Sequence, residues 1–208
     1  MRASPRRRVA AFFLLAIAPA VARAEDERNA YILVKGGPYF PTATNAFNIS
    51  GSEVFKWPTS FAIEGGIGIN WGFLGFELDA GYITTGTATT TSGQTTANGV
   101  PILALVKFRL PILFVAPYLE GGAGVNIATS TFTSVASGQG VSATQVGFEA
   151  VGGAGCDVYF GPLLVGLEVK YIWLEPQFNF TGVSGVASLT QKLNMSGITL
   201  EAYIGYRF

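Results

Sequence analysis

Charged residues recur at two-residue intervals along this chain: Glu77 and Asp79, Lys107 and Arg109, Glu168 and Lys170. In an extended segment that spacing puts both members of a pair on one face, because successive side chains point to opposite sides. Two carboxylates on one face could act as general acid and base. A carboxylate beside an ammonium could form an ion pair. Other chemistry is scarce. The chain has no histidine, so Ser–His and Cys–His nucleophiles and imidazole metal sites are impossible. The single Cys156 cannot form an internal disulfide, which excludes a secreted domain held by such bonds. It alternates with Asp157 and reads as a small hydrophobe facing away from the charges. Gly65-Gly66-Ile67-Gly68 lacks the lysine and the strand-to-helix context of a phosphate loop. No catalytic residue, metal or cofactor is expected, and structural ion pairing is the expected role of the same-face charges.

The elements that carry these charges are strands. The clearest is the last. Ile198, Leu200, Ala202, Ile204, Tyr206 and Phe208 alternate with Gly197, Thr199, Glu201, Tyr203, Gly205 and Arg207. Period-two alternation of this kind is a strand with one apolar face. Read the same way, the chain gives strands at about 30–40, 60–70, 74–84, 100–110, 115–128, 143–160, 163–174 and 196–208. The segments 41–58, 85–99, 129–142 and 175–195 read as long polar loops, whose composition favours mobility over a fixed binding site. Short turns separate the other pairs, around 71–73, 111–114 and 161–162. Long connections follow odd strands and short ones follow even strands. In an up-and-down barrel, all long loops then lie at one rim and both termini at the other.

The faces agree from strand to strand. Phe61, Ile63, Ile67 and Ile69 oppose Ala62, Glu64, Gly66 and Gly68; Leu167, Val169, Tyr171 and Trp173 oppose Gly166, Glu168 and Lys170. Charges share the face of the small residues. Apolar residues make up 49% of the chain and charged ones 12%, yet beyond the first 24 residues no apolar run reaches the roughly 20 residues of a membrane helix. Strands apolar on one side and closed into a barrel satisfy both facts, since an open sheet edge cannot be satisfied in lipid. A charge facing the middle of a bilayer costs about 2–4 kcal/mol for Arg or Lys, so the charged face must be the lumen. The inward set is Glu64, Glu77, Asp79, Lys107, Arg109, Glu120, Glu149, Asp157, Glu168, Lys170, Glu201 and Arg207, with Lys35 as a further candidate. Lys107 and Arg109 are expected to neighbour Glu77, Asp79 and Glu120. Eight strands leave little free cross-section, so a salt-bridged plug is favoured over a narrow polar pore. Lumenal glycines at 66, 68, 122, 124, 153 and 155 weigh against the plug by leaving space.

Aromatic residues gather near strand ends, as expected of two interfacial girdles. Tyr39, Phe40, Trp57, Tyr82 and Trp173 fall toward the loop rim. Trp71, Phe73, Phe114, Tyr159, Phe160, Tyr206 and Phe208 fall toward the turn rim. The first 24 residues read as a secretory leader: arginines at 2, 6, 7 and 8, the apolar run Val9–Ala18, and Ala22-Arg23-Ala24 as a cleavage pattern. Without them the chain keeps eight basic and thirteen acidic residues, a net charge of −5, and no basic cluster for nucleic acid.

The leader, the alternating strands, Pro117-Tyr118-Leu119-Glu120-Gly121-Gly122-Ala123-Gly124-Val125 and the Tyr203-Ile204-Gly205-Tyr206-Arg207-Phe208 ending together resemble the small outer-membrane barrels of the OmpA/OmpX/OmpW type. The resemblance implies an all-β fold, an eight-stranded antiparallel up-and-down transmembrane β-barrel over residues 25–208, in the outer membrane of a Gram-negative bacterium. It implies that Tyr206 and Phe208 belong to a C-terminal signal read by the barrel-assembly machinery, and that outer-membrane lipid is a partner. With nothing after Phe208, a peptidoglycan-binding domain is not expected. The function expected is a structural or surface-interaction barrel with a plugged lumen. A narrow pore or small-solute transport barrel is the alternative, and a secreted lipocalin-like ligand-binding barrel the second. A lipocalin would carry its apolar face inward.

Overall fold

The computed structural model describes residues 28–48, 52–91, 93–110, 112, 114–135, 138–181 and 188–208. The leader and its cleavage point lie outside them. The strands are β1 (Arg28–Pro41), β2 (Thr44–Asn48), β3 (Ser52–Lys56), β4 (Ser60–Trp71), β5 (Leu74–Thr89), β6 (Gly93–Arg109), β7 (Val115–Ser134), β8 (Gly140–Phe160), β9 (Leu163–Leu174), β10 (Gln177–Thr181), β11 (Ser188–Lys192) and β12 (Gly197–Arg207). Eight of them close a barrel in the order β1-β12-β9-β8-β7-β6-β5-β4, and β1 pairs back onto β4. Every barrel neighbour is antiparallel. The remaining four strands form two hairpins, β2–β3 and β10–β11.

The alternation read from sequence sets which way each side chain points. Ile32, Ile67, Leu78, Val106, Leu119, Leu167 and Ile204 are exposed on the outside, while Glu64, Glu77, Lys107, Glu168 and Glu201 are buried inside. This is the inverse of a lipocalin, and the second alternative falls on it. Cys156 lies between inward Gly155 and Asp157, half-buried on the outer face and paired in register with Pro117 and Leu167. At the turn rim the chain reverses tightly. Gly72 and Gly161 have φ of 61° and 63°, a region costly for residues with a Cβ, and Pro162 follows with the fixed φ that a two-residue turn accepts.

Three expectations need correction. The polar stretches 85–99 and 129–142 are mostly strand, not loop. β5 to β8 run through them, paired down to Thr89↔Gln94 and Thr133↔Gly140, with one register shift between Thr84 and Thr87. Their inner face carries Ala88, Ala97 and Phe132 with Thr85, Thr95 and Ser130, and Ala128 and Ala143 flank them, all buried. That apolar alternation is hidden because its partners are threonines and serines, and threonine itself suits a strand. Second, the described residues of the segments 41–58 and 175–195 do not form open loops. Their hairpins bring Phe55, Trp57, Phe178 and Phe180 into one buried cluster with Tyr39, Leu174, Leu193 and Met195 over the barrel mouth. Third, the loop-rim girdle is smaller than expected. Tyr39 and Trp57 are 1% and 2% exposed and belong to this interior cluster, whereas Phe40, Tyr82 and Trp173 do face outward. At the turn rim Trp71, Phe114, Phe160, Tyr206 and Phe208 are exposed, but Tyr159 turns inward, where its hydroxyl donates to Asp157.

Candidate functional site

Ionisable side chains point into the lumen below the apolar mouth. Every barrel strand contributes: Lys35 from β1, Glu64 from β4, Glu77 and Asp79 from β5, Lys107 and Arg109 from β6, Glu120 from β7, Glu149 and Asp157 from β8, Glu168 and Lys170 from β9, and Glu201 from β12. All are buried. Each is inward because its strand neighbours carry the apolar face, and period two leaves no other choice.

Lys35 is the hub. Its Nζ lies 2.7 Å from Asp79 Oδ2, 2.9 Å from Glu77 Oε1, 3.3 Å from Glu168 Oε1 and 3.9 Å from Glu64 Oε2. Lys107 Nζ reaches Glu77 at 2.8 Å, Glu120 at 3.5 Å and Glu168 at 3.6 Å. Lys170 Nζ reaches Glu64 at 2.6 Å and both Glu168 and Glu201 at 3.1 Å. Toward the turn rim Arg109 pairs with Asp157 at 2.7 Å. The sequence-predicted set is thus brought together apart from Arg207, with differences in pairing. Lys107 takes Glu77 and Glu120. Arg109 takes Asp157 instead, because it sits one inward position nearer the turn. Asp79 goes to Lys35. Glu149 stands nearest the mouth and accepts a hydrogen bond from Asn126 Nδ2 at 2.6 Å. Arg207 lies at the turn rim, donating to Gly161 O at 3.1 Å and stacked over the Tyr159 ring at 4.7 Å.

Among the described residues of the lumen, eight buried carboxylates face four buried cations. An unpaired buried charge is costly, and neutral donors add hydrogen bonds to several of these carboxylates. Tyr31 donates to Glu77 at 2.7 Å, Tyr118 to Glu168 at 2.7 Å, and Tyr203 to Asp157. These tyrosines and Asn126 were not singled out by sequence reasoning. A signal for them exists in the lumenal glycines. A Cβ added at Gly68 would strike the Tyr31 ring, one at Gly155 would strike Tyr118, and one at Gly166 would strike Tyr203. The space beside these glycines is therefore occupied. They admit tyrosines from other strands, and Gly66 admits the Asp79 carboxylate.

Glu77 and Asp79, the pair with the spacing for acid–base work, are both held by Lys35. Among the described residues no group of His, Cys, Asp or Glu has metal-site geometry.

Above the ions lies the apolar mouth. The Phe55 and Trp57 rings meet edge to face at 4.9 Å, and Phe178 and Phe180 stack at 6.0 Å. The hairpin side is tied to the β11–β12 connection by Asn45, which donates to Asn194 O at 2.9 Å and accepts from Asn194 N at 2.6 Å. The Tyr39 hydroxyl donates to Met195 O.

Residues 9–208 match the family model described as outer membrane protein beta-barrel domain. The fold is similar to a major outer membrane protein from Thermus thermophilus, with a TM-score of 0.58, 11% identity, and coverage of 88% of this chain and 100% of that one. It is also similar to Neisserial surface protein A, with a TM-score of 0.51, 14% identity, and the same coverage. At these identities the likeness is one of fold. Among curated proteins, none matches.

Proposed function

Because the chain belongs to the outer membrane protein beta-barrel domain family, we propose that it is a structural, surface-presenting barrel of the bacterial outer membrane whose lumen is closed. The observation that carries this reading is the Lys35 hub. Its ammonium meets carboxylates from β4, β5 and β9, so the charges bridge the lumen instead of lining a path through it. Above it, the aromatic mouth supplies a second, apolar barrier. What the protein offers to its surroundings is then its outside: the apolar wall toward lipid and the extended β5–β8 sheet beyond it. Glu77 and Asp79 are both held by Lys35, which favours a structural role for them over acid–base work. Tyr206 and Phe208, with ring centroids 5.4 Å apart on the outer face of the last strand, are the residues proposed to address the chain to the assembly machinery.

The test is conductance of the refolded protein, residues 25–208, in planar bilayers, read beside its heat-modifiable gel shift. A gel shift without steady conductance is expected. A gel shift with discrete, stable channel openings would overturn the closed lumen and favour the narrow-pore alternative.

A further inference from the structure

The barrel wall does not stop at the top of its apolar band. β5 to β8 continue as one sheet, and the register sets their outward side chains in rows. Val100, Ile127 and Val146 make the last apolar row. The next row is Asn98, Thr129 and Thr144. Above it stand Thr87, Thr96, Thr131 and Ser142, one from each of four adjacent strands. The change from lipid-facing to hydroxyl-bearing surface thus happens between two neighbouring rows of one continuous face.

Three further observations define this surface. It is uncharged: no Asp, Glu, Lys or Arg lies between Asp79 and Lys107 or between Glu120 and Glu149. It is preorganised, because hydroxyls are bonded across the strands, Thr87 to Thr96 at 3.1 Å, Thr129 to Thr144 at 2.9 Å and Thr131 to Ser142 at 2.8 Å. Each hydroxyl keeps further donor or acceptor capacity. It is also backed, since Ala97, Ala128 and Phe132 on the other side are buried.

We propose that this face binds the neutral sugar residues of glycolipid in the surrounding outer leaflet; the proposal rests on the outer-membrane reading above. The direction of the face decides the occupant. It shares its outward direction with Val100, Ile127 and Val146, so whatever lies against it is lateral, immediately above the acyl chains. In a glycolipid leaflet that layer is saccharide. Charge decides the chemistry. A face without cations lacks the charge-assisted bonds that favour phosphate or carboxylate. Neutral pyranose rings carry hydroxyls at the rim and C–H groups on the face, and threonine presents a hydroxyl beside a methyl. Strands about 4.8 Å apart, with same-face residues about 6.7 Å apart along each, repeat those groups on the scale of a sugar ring.

The test places the refolded protein in phosphatidylcholine nanodiscs containing either digalactosyl diacylglycerol or phosphatidylglycerol, and reads retained lipid by native mass spectrometry. The comparison is T96V/T129V/T131V, which keeps side-chain shape and strand propensity, and whose heat-modifiable shift reports that the barrel has formed. Preferential retention of the digalactosyl lipid by the wild type is expected, with loss of about tenfold in the variant, as for two or three net hydrogen bonds. Equal retention of the two lipids, or an unchanged preference in the variant, overturns the proposal. So does a wild-type dimer that the three valines dissolve, which would assign the face to a second copy. Failure to insert or to shift on heating overturns the outer-membrane reading itself, and that outcome is seen before any lipid is compared.

Discussion

Lys170 and Glu64 are 106 residues apart in sequence, and their Nζ and Oε2 atoms are 2.6 Å apart in the lumen. They are not on neighbouring strands. β9 and β4 are separated in the barrel by β12 and β1, so the pair crosses the interior. Lys107 on β6 and Glu168 on β9, 3.6 Å apart, are likewise separated by two strands. Pairs of this kind tie the wall to itself through its centre, in addition to the ladder that ties each strand to the next.

Removing the Lys170 ammonium should therefore cost more than a surface charge would. Lys170→Met leaves Glu64, Glu168 and Glu201 without their shared cation. A loss of about 3–5 kcal/mol is expected, as when one partner is taken from a buried pair. Urea unfolding of the protein folded into lipid vesicles measures it. Lys192→Met, at the exposed Lys192–Glu175 pair, should change stability by less than about 1 kcal/mol.

Opening the hub should open a path. Lys35→Ala removes the group that joins β1 to carboxylates on β4, β5 and β9. In planar bilayers the variant is expected to show openings that the wild type lacks. With carboxylates in surplus around the vacated position, those openings should pass cations in preference to anions, read from the reversal potential in a salt gradient.

The glycine–tyrosine fits can be tested as pairs. Gly155→Ala puts a methyl group against Tyr118 and should destabilise by about 1–3 kcal/mol through overpacking. In a Tyr118→Ala background the same change should cost less, with the contact to the Leu167 carbonyl remaining. A double-mutant cycle by urea unfolding gives the coupling.

Orientation is tested from the outside. Leu78 is 57% exposed in the middle of the apolar band of β5. Leu78→Arg should cost about 2–4 kcal/mol in vesicles, while Phe160→Arg, at the turn rim, should cost about 0–1 kcal/mol. Equal costs would count against a bilayer around this wall.

The mouth should behave as packed structure. Phe178→Ala empties a fully buried position and should cost about 3–5 kcal/mol if the hairpin unfolds with the barrel. Should the hairpin open alone, limited proteolysis would show faster cutting near β10 and β11 with an unchanged heat-modifiable shift.

Much of this was legible in the sequence. The alternation in β4, β5, β7, β9 and β12 placed Glu64, Glu77, Asp79, Glu120, Glu168, Lys170 and Glu201 inward, and the short turns located the reversals to within a few residues. Lys35 was harder to place, because Gly36-Gly37-Pro38 follows it and interrupts the alternation. The strand arms at 85–99 and 129–142 were obscured by threonine and serine, which satisfy turn and strand patterns alike. The hairpins over the mouth were obscured by length, since five-residue strands such as β10 and β11 carry too few periods to stand out.

By itself the sequence determined the charged part of the wall: where its eight strands run, which face is apolar, and where the charges must go. These follow from a local rule, the two-residue period, together with the cost of a charge in lipid. Only the tertiary structure decided which charge meets which. Partners such as Lys170 and Glu64 are fixed by closure of the sheet and by the register of every strand between them, quantities that accumulate around the whole barrel. The same closure decided that the tyrosines fill the spaces beside the glycines, and that the connecting hairpins fold over the mouth instead of away from it.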